Sequence, residues 1–274
     1  MDKLIISVAL TGSWTTREQT PYVPLTPDEI AEQAVAAWRA GAAIAHIHVR
    51  DANGIITCDP TRYAEVREHI RAAGCDLILN FSTGGGAGRT TEDDRLAPVT
   101  LRPEIASFDA GSTNFGEGVF INSPTFLRRL ARLMQEHGVK PEIECFDAGM
   151  VTNALRLADE GLLARPLYVQ FVLGVRGAAP ATVPQLVHLV GMLPPGTPWS
   201  LCAIGREQLP MNLAAIVMGG HARTGLEDNL YYTRGYLAAG NAHLVARLAR
   251  LARELGRPPA SPAEARASLG LSAA

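Results

Sequence analysis

Residues 42–51 read AAIAHIHVRD, a run of small and apolar residues that closes on two histidines one residue apart, His46 and His48. A β-strand turns residues i and i+2 to the same face, so both imidazoles arrive together at one strand end. Such a pair is half of a zinc site. Outward from it, short β-rich runs recur along the chain. The expected strands are Leu4–Leu10, Ala43–Val49, Leu77–Phe81, Ile105–Phe108, Glu142–Phe146, Leu167–Leu173, Trp199–Ala203 and Ala215–Met218. The stretches between them carry helix signals. Thr26-Pro27-Asp28-Glu29 and Ser261-Pro262-Ala263-Glu264 each place a hydroxyl at the N-cap, proline in the first turn and glutamate at the third position, the pattern of a capping box. Asp59-Pro60 and Ser123-Pro124 open two further helices. Gly41, Gly74, Gly138 and Gly256 follow amphipathic stretches where a helix end wants positive φ.

Buried strands alternating with helices over about 250 residues fit a closed parallel (β/α)8 TIM barrel. We expect one α/β domain over residues 1–274, its last roughly 20 residues a C-terminal helical extension. A doubly wound open sheet is the second reading, but LTGSWTT after the first strand lacks the GxGxxG spacing of a dinucleotide site. A hydrophobic content of 47% supports a substantial core, and 25 Lys and Arg against 27 Asp and Glu leave a net charge of −2 with no basic tract. Nucleic acid is therefore not an expected partner. No apolar stretch approaches membrane-spanning length, and the N-terminus runs into strand-like sequence without a cleavable leader pattern. Cys58, Cys75, Cys145 and Cys202 are widely spaced, which argues against a disulfide framework and for a reducing, cytoplasmic setting.

A barrel performs chemistry at the C-terminal ends of its strands. The expected strand ends carry Thr11, Gly12 and Trp14; His46, His48, Arg50 and Asp51; Asn80, Ser82, Thr83 and Gly84-Gly85-Gly86. Further ends carry Ser107 and Asp109; Glu142, Glu144 and Asp147; and His221, Arg223, Glu227 and Asp228. So many ionisable groups on one face cost stability unless they pair, ligate or react. Singly, each has a plainer explanation. A strand-end histidine can be a core hydrogen-bonding residue, the triple glycine a tight turn or an anion nest, and Glu227-Asp228 a solvated loop pair. From pattern alone the residues indicate a zinc-dependent barrel enzyme. An amidohydrolase-like zinc hydrolase and a non-catalytic metal- or acyl-binding barrel remain open.

The motifs in order, LTGSWTTREQTPYVPLTPDEIAEQA (10–34), HIHVRD (46–51), STGGGAGRT (82–90), FDAGSTNFG (108–116), EIECFDAGM (142–150), QFVLGVRG (170–177) and GGHARTGLEDN (219–229), resemble the β-keto acid cleavage enzymes essentially end to end. The resemblance implies a homotetrameric (β/α)8 barrel with Zn2+ held by His46, His48 and Glu227. It implies a transferase reaction in which a β-keto acid and acetyl-CoA give acetoacetate and a new acyl-CoA by enolate attack, CoA transfer and retro-Claisen cleavage. Asp228 matches the family's base, with Arg223 and Glu144 its charged partners, while Ser82, Gly85 and Ser107 match positions that hold the substrate. The family's type member carries a glutamate, which pairs with a primary ammonium, where this chain has Trp14. An indole cannot replace that carboxylate, so 3-keto-5-aminohexanoate is not the expected substrate. Trp14 suits an apolar tail or a quaternary ammonium.

Overall fold

The computed structural model describes residues 3–86 and 88–271; Met1, Asp2, Ala87 and residues 272–274, which fall within the expected domain, lie outside the described residues. The chain alternates strand and helix. It runs β1 (Ile6–Ala9), α1 (Pro27–Ala40), β2 (Ile44–Ile47), α2 (Pro60–Ala72), β3 (Ile78–Phe81), α3 (Glu92–Leu96), β4 (Ile105–Asp109), α4 (Pro124–His137), β5 (Lys140–Cys145), α5 (Ala148–Asp159), β6 (Tyr168–Leu173), α6 (Val183–Gly191), β7 (Trp199–Ala203), α7 (Gln208–Val217), β8 (His221–Thr224), α8 (Asn241–Glu254) and α9 (Pro262–Leu269). The strands close into a parallel barrel in which β1 pairs with both β2 and β8. The registers Ala9 to His46 and Ser7 to Arg223 bring the first, second and last strands level at the end where the chemistry collects.

Local chemistry fixes the helix ends as the sequence implies. The Thr26 hydroxyl accepts from the Glu29 N–H while Glu29 accepts from the Thr26 N–H, and Ser261 and Glu264 repeat the arrangement. Asp59 and Ser123 cap α2 and α4. One strand lies elsewhere than expected. Residues 215–217 are the last turn of α7, and β8 begins four residues later, at His221. In α7 the buried residues Met211, Asn212, Ala215 and Ile216 recur at helical spacing. The real strand, HART, is mostly polar because its inward side chain serves the site, so hydrophobicity does not reveal it.

The helix-facing sides of the strands are apolar, and so is the N-terminal end of the interior. There Ile44, Ile78, Ile105 and Tyr168 form one cluster with Ala265 and Leu269 of α9, which closes that end of the barrel. Arg266 of α9 pins the closure, donating to Glu104 and Asp76. Farther along the same strands the interior turns polar, with Ser7, His46, Asn80, Ser107, Glu142, Gln170 and Ser200 all buried. His221, grouped with the site by sequence, sits at the other end of β8, where its Nδ1 accepts from the Ile5 N–H at 3.2 Å. All four cysteines are buried free thiols. Among the described residues, no helix is long and apolar enough to cross a membrane.

Candidate active site

Strand alternation carries His46 and His48 to the C-terminal mouth of the barrel, their rings 5.1 Å apart and inclined at 66°. After β8 the chain folds back so that Glu227 meets them: its Oε1 lies 3.7 Å from His46 Nε2 and 3.5 Å from His48 Nε2. Two glycines allow this approach. A Cβ on Gly12 would stand 2.5 Å from the Glu227 Cγ, and one on Gly225 would stand 2.0 Å from the Ala9 carbonyl oxygen. The Ser13 hydroxyl lies 3.4 Å from His48 Nδ1, which steadies that ring with Nε2 toward Glu227.

Arg223 organises the acids. Its Nε and Nη2 each lie 2.9 Å from an oxygen of Asp228, a bidentate pairing, and Nη2 also donates to Glu227 at 2.7 Å. Nη1 reaches Glu144 and Gln170, both at 3.2 Å. One buried cation thus faces three carboxylates. Burial raises the Asp228 carboxyl above the usual range, with Arg223 opposing. Burial and the neighbouring Asp109 push Glu144 well above its ordinary value. Glu227 differs: burial opposes its ionisation, but Arg223 above all, with a hydrogen bond from His48, outweighs burial and holds it well below the carboxylate range. Burial and Arg223 together drive His46 well below the usual imidazole range, so it is neutral and able to ligate.

His46, His48 and Glu227 each present a donor atom within 4.8 Å of the others, and so do His46, Glu142 and Glu144. The first set fits a divalent cation better. Glu227 is ionised, and its buried Oε2 has no hydrogen-bond partner. Glu142 and Glu144 are instead held toward their protonated forms, Glu142 up to about 7 by burial. Two imidazoles and one carboxylate are a donor set suited to zinc with positions left open.

The mouth above these groups is a cavity of about 550 Å³. Ser82 and Ser107 line it; their hydroxyls accept from the Gly84 and Thr83 N–H groups, which leaves the Ser82 O–H proton for a ligand, while the Ser107 hydroxyl also lies 3.5 Å from that of Thr83. Gly84 and Gly86 line the wall, and between them the Gly85 carbonyl accepts from the Thr90 hydroxyl at 3.2 Å. Trp14 lines the mouth with its ring near-parallel to Phe115, 20° apart at 6.4 Å. Arg50 and Asp51, beside the histidines in sequence, serve the backbone instead. Arg50 donates to the carbonyls of Gly12, Thr15 and Gly54, and Asp51 accepts from the N–H groups of Asn53 and Ile55. Asp147 caps α5. The sequence reading gave no role to Ser13, Gln170, Phe115 or Phe146, all at this site; only Gln170 carried a signal, as an amide inside the apolar strand YVQFVL.

A sequence profile described as beta-keto acid cleavage enzyme matches residues 3–271. The chain belongs to that family. It is 44% identical to a 3-keto-5-aminohexanoate cleavage enzyme of Fusobacterium nucleatum subsp. nucleatum, over 99% of each chain. It is 42% identical to a 3-oxoadipate:acetyl-CoA acetyltransferase of Cupriavidus necator, over 97% of this chain and 94% of that one. Among solved structures, the apo form of ObcA superposes with a TM-score of 0.81 at 22% identity, covering 92% of this chain and 66% of that longer one. That likeness concerns the fold. For this member of the β-keto acid cleavage family, sequence and barrel architecture agree.

Proposed function

We propose that this protein condenses a β-keto acid with acetyl-CoA and cleaves the product into acetoacetate and the CoA ester of the remaining fragment. The observation that carries the reading is the adjacency of Glu227 and Asp228 on one arginine: the first, with the two histidines, forms a cation site, and the second is a basic carboxylate pointed into the same cavity. His46, His48 and Glu227 would hold a divalent metal, zinc by the donor set. When bound, it supplies a Lewis acid for the keto and carboxylate oxygens of the substrate. Asp228 takes the proton from C2. Burial makes it a stronger base than a solvated aspartate, and the bidentate Arg223 fixes its direction. Ser82 and Ser107 donate O–H groups to the substrate's oxygen-rich end. The carbanion carbon C2 then bonds to the acetyl carbonyl carbon as CoA thiolate departs. The thiolate adds to the former keto carbon, the C2–C3 bond breaks with its electron pair left on C2, and the proton held by Asp228 returns to C2 to release acetoacetate and the new thioester. Arg223 balances the charge of Asp228, and Glu144, bonded to the same guanidinium, helps to hold that cation in place.

Trp14 in place of a carboxylate argues against a primary-ammonium substrate such as 3-keto-5-aminohexanoate. We extend the family reading to a homotetramer in the cytoplasm, a setting that the four buried free thiols suit. The test is a panel of β-keto acids supplied with acetyl-CoA and scored for both products. We expect acetoacetate and a new acyl-CoA in equal amounts, and none of either after stripping divalent metal. Hydrolysis without acetyl-CoA would overturn the reading.

A further inference from the structure

We propose that the Trp14 side of the cavity selects a β-keto acid whose far end carries a second carboxylate, and that Arg89 grips that carboxylate. This rests on the β-keto acid reading above. Trp14 adjoins Ser13, whose hydroxyl reaches His48, so the indole flanks the end of the cavity where the substrate's oxygens bind. The Arg89 guanidinium carbon stands 4.5 Å from the Trp14 ring centroid, over its face. Stacking engages the plane of a guanidinium and leaves its edge N–H donors available. Among the described residues, Arg89 forms no ion pair with a carboxylate.

A second cation reinforces the field. Arg50 is buried, donates to backbone carbonyls only, and is pushed below the ordinary guanidinium range by burial and by the charge of Arg89 beside it. The acids that line the cavity are engaged elsewhere: Glu227, Asp228 and Glu144 with Arg223, Asp109 with Glu144 and Arg95, and Glu117 with Arg176 at the rim. Two cations, Arg89 and the buried Arg50, thus stand behind the Trp14 side, and the one acid that acts on Arg50, Glu227, is itself paired with Arg223. A quaternary ammonium, one of the two tails that an indole suits, would have to displace Arg89 from the same ring and sit beside both positive charges. A purely apolar tail would leave the guanidinium edge to water.

The direction of the tail follows from the chemistry. We place the acyl donor on the side of C2 that Asp228 deprotonates, where the Asp228 carbonyl accepts from the N–H of Gly205, next to the cavity-lining Ile204. The substituent on the keto carbon then extends the other way, along Trp14 toward Arg89. An exposed, charge-assisted contact of this kind is worth about two- to fivefold in specificity.

The test compares three 3-oxo acids of matched length, ending in a carboxylate (3-oxoadipate), a methyl group or a trimethylammonium group, using metal-replete protein and acetyl-CoA. We expect kcat/KM to favour the carboxylate tail over the methyl tail by about two- to fivefold, mainly through KM. Arg89→Gln should bring that ratio toward one, and Arg89→Glu should turn the preference toward the trimethylammonium tail. Wild-type preference for the methyl or cationic tail would overturn the inference. So would an unchanged ratio in an Arg89→Gln variant with an unchanged melting temperature. Acetoacetate from none of the three acids would overturn the β-keto acid reading itself, a result distinct from a reversed preference.

Discussion

Two buried arginines, one at each end of the barrel, show how the same pairing serves different ends. Arg266 closes the N-terminal end: it meets Glu104 and Asp76, and around it lie the apolar residues that α9 packs into the barrel. Arg223, at the mouth, meets Asp228, Glu227 and Glu144, with a second carboxyl, Asp109, beside the last of these. The first cluster sets one cation against two carboxylates, and one of these, Asp76, is largely exposed to water. The second carries an excess of acid with its carboxyls displaced in opposite directions, Glu227 down and Asp228 and Glu144 up. Stability alone does not explain that arrangement, because excess buried negative charge is costly. A cation between Glu227 and the histidines, and a proton to be moved by Asp228, do explain it.

The largest expected effect separates the two clusters most sharply. Asp228→Asn keeps the shape of the Arg223 pairing and removes the base. Turnover should fall by about three orders of magnitude while zinc affinity and melting temperature hold. Exchange of the substrate's C2 protons with deuterated solvent, followed by NMR, should stop as well; exchange at the normal rate would show that another group is the base. At the opposite end, Arg266→Ala leaves Glu104 partly buried without its partner. Unfolding free energy should drop by about 2 kcal/mol with kcat/KM within twofold of wild type, measured by denaturant titration and steady-state kinetics. A loss of activity without a loss of stability would erase the distinction between the two ends.

The smallest expected effect concerns the tier between them. Glu142 is fully buried, accepts from the Asn80 amide at 2.6 Å and is raised to about 7, chiefly by burial. A carboxyl whose folded pKa is raised binds its proton more tightly folded than unfolded. Its favourable contribution is therefore complete below the unfolded value, near 4.5, and is lost as pH rises toward 7. Glu142→Gln, a permanent mimic of the protonated form, should flatten the pH dependence of stability across that window by about 1–2 kcal/mol in metal-stripped protein. An unchanged slope would place the proton elsewhere.

Much of this architecture was legible in the sequence, for identifiable reasons. Capping boxes at Thr26 and Ser261 are local chemistry, and the strands through β7 are apolar enough to announce themselves. The HxH spacing, together with the acids after β8, pointed to the cation site because strand alternation converts spacing into direction. Strand β8 was misplaced because Arg223 and its polar neighbours replace the hydrophobic signal, while the end of α7 imitates a strand. Arg89 and Phe115 escaped notice because their roles arise where separate loops meet over Trp14, which no periodicity encodes.

The central claim, carbon–carbon exchange with acetyl-CoA at this mouth, is tested most directly by following an isotope. With acetyl-CoA carrying 13C at the carbonyl carbon and an unlabelled β-keto acid, the account predicts acetoacetate labelled at C3 alone, its C1 and C2 coming from the acid, and an unlabelled new acyl-CoA. Unlabelled acetoacetate, or label recovered only in acetate, would contradict it.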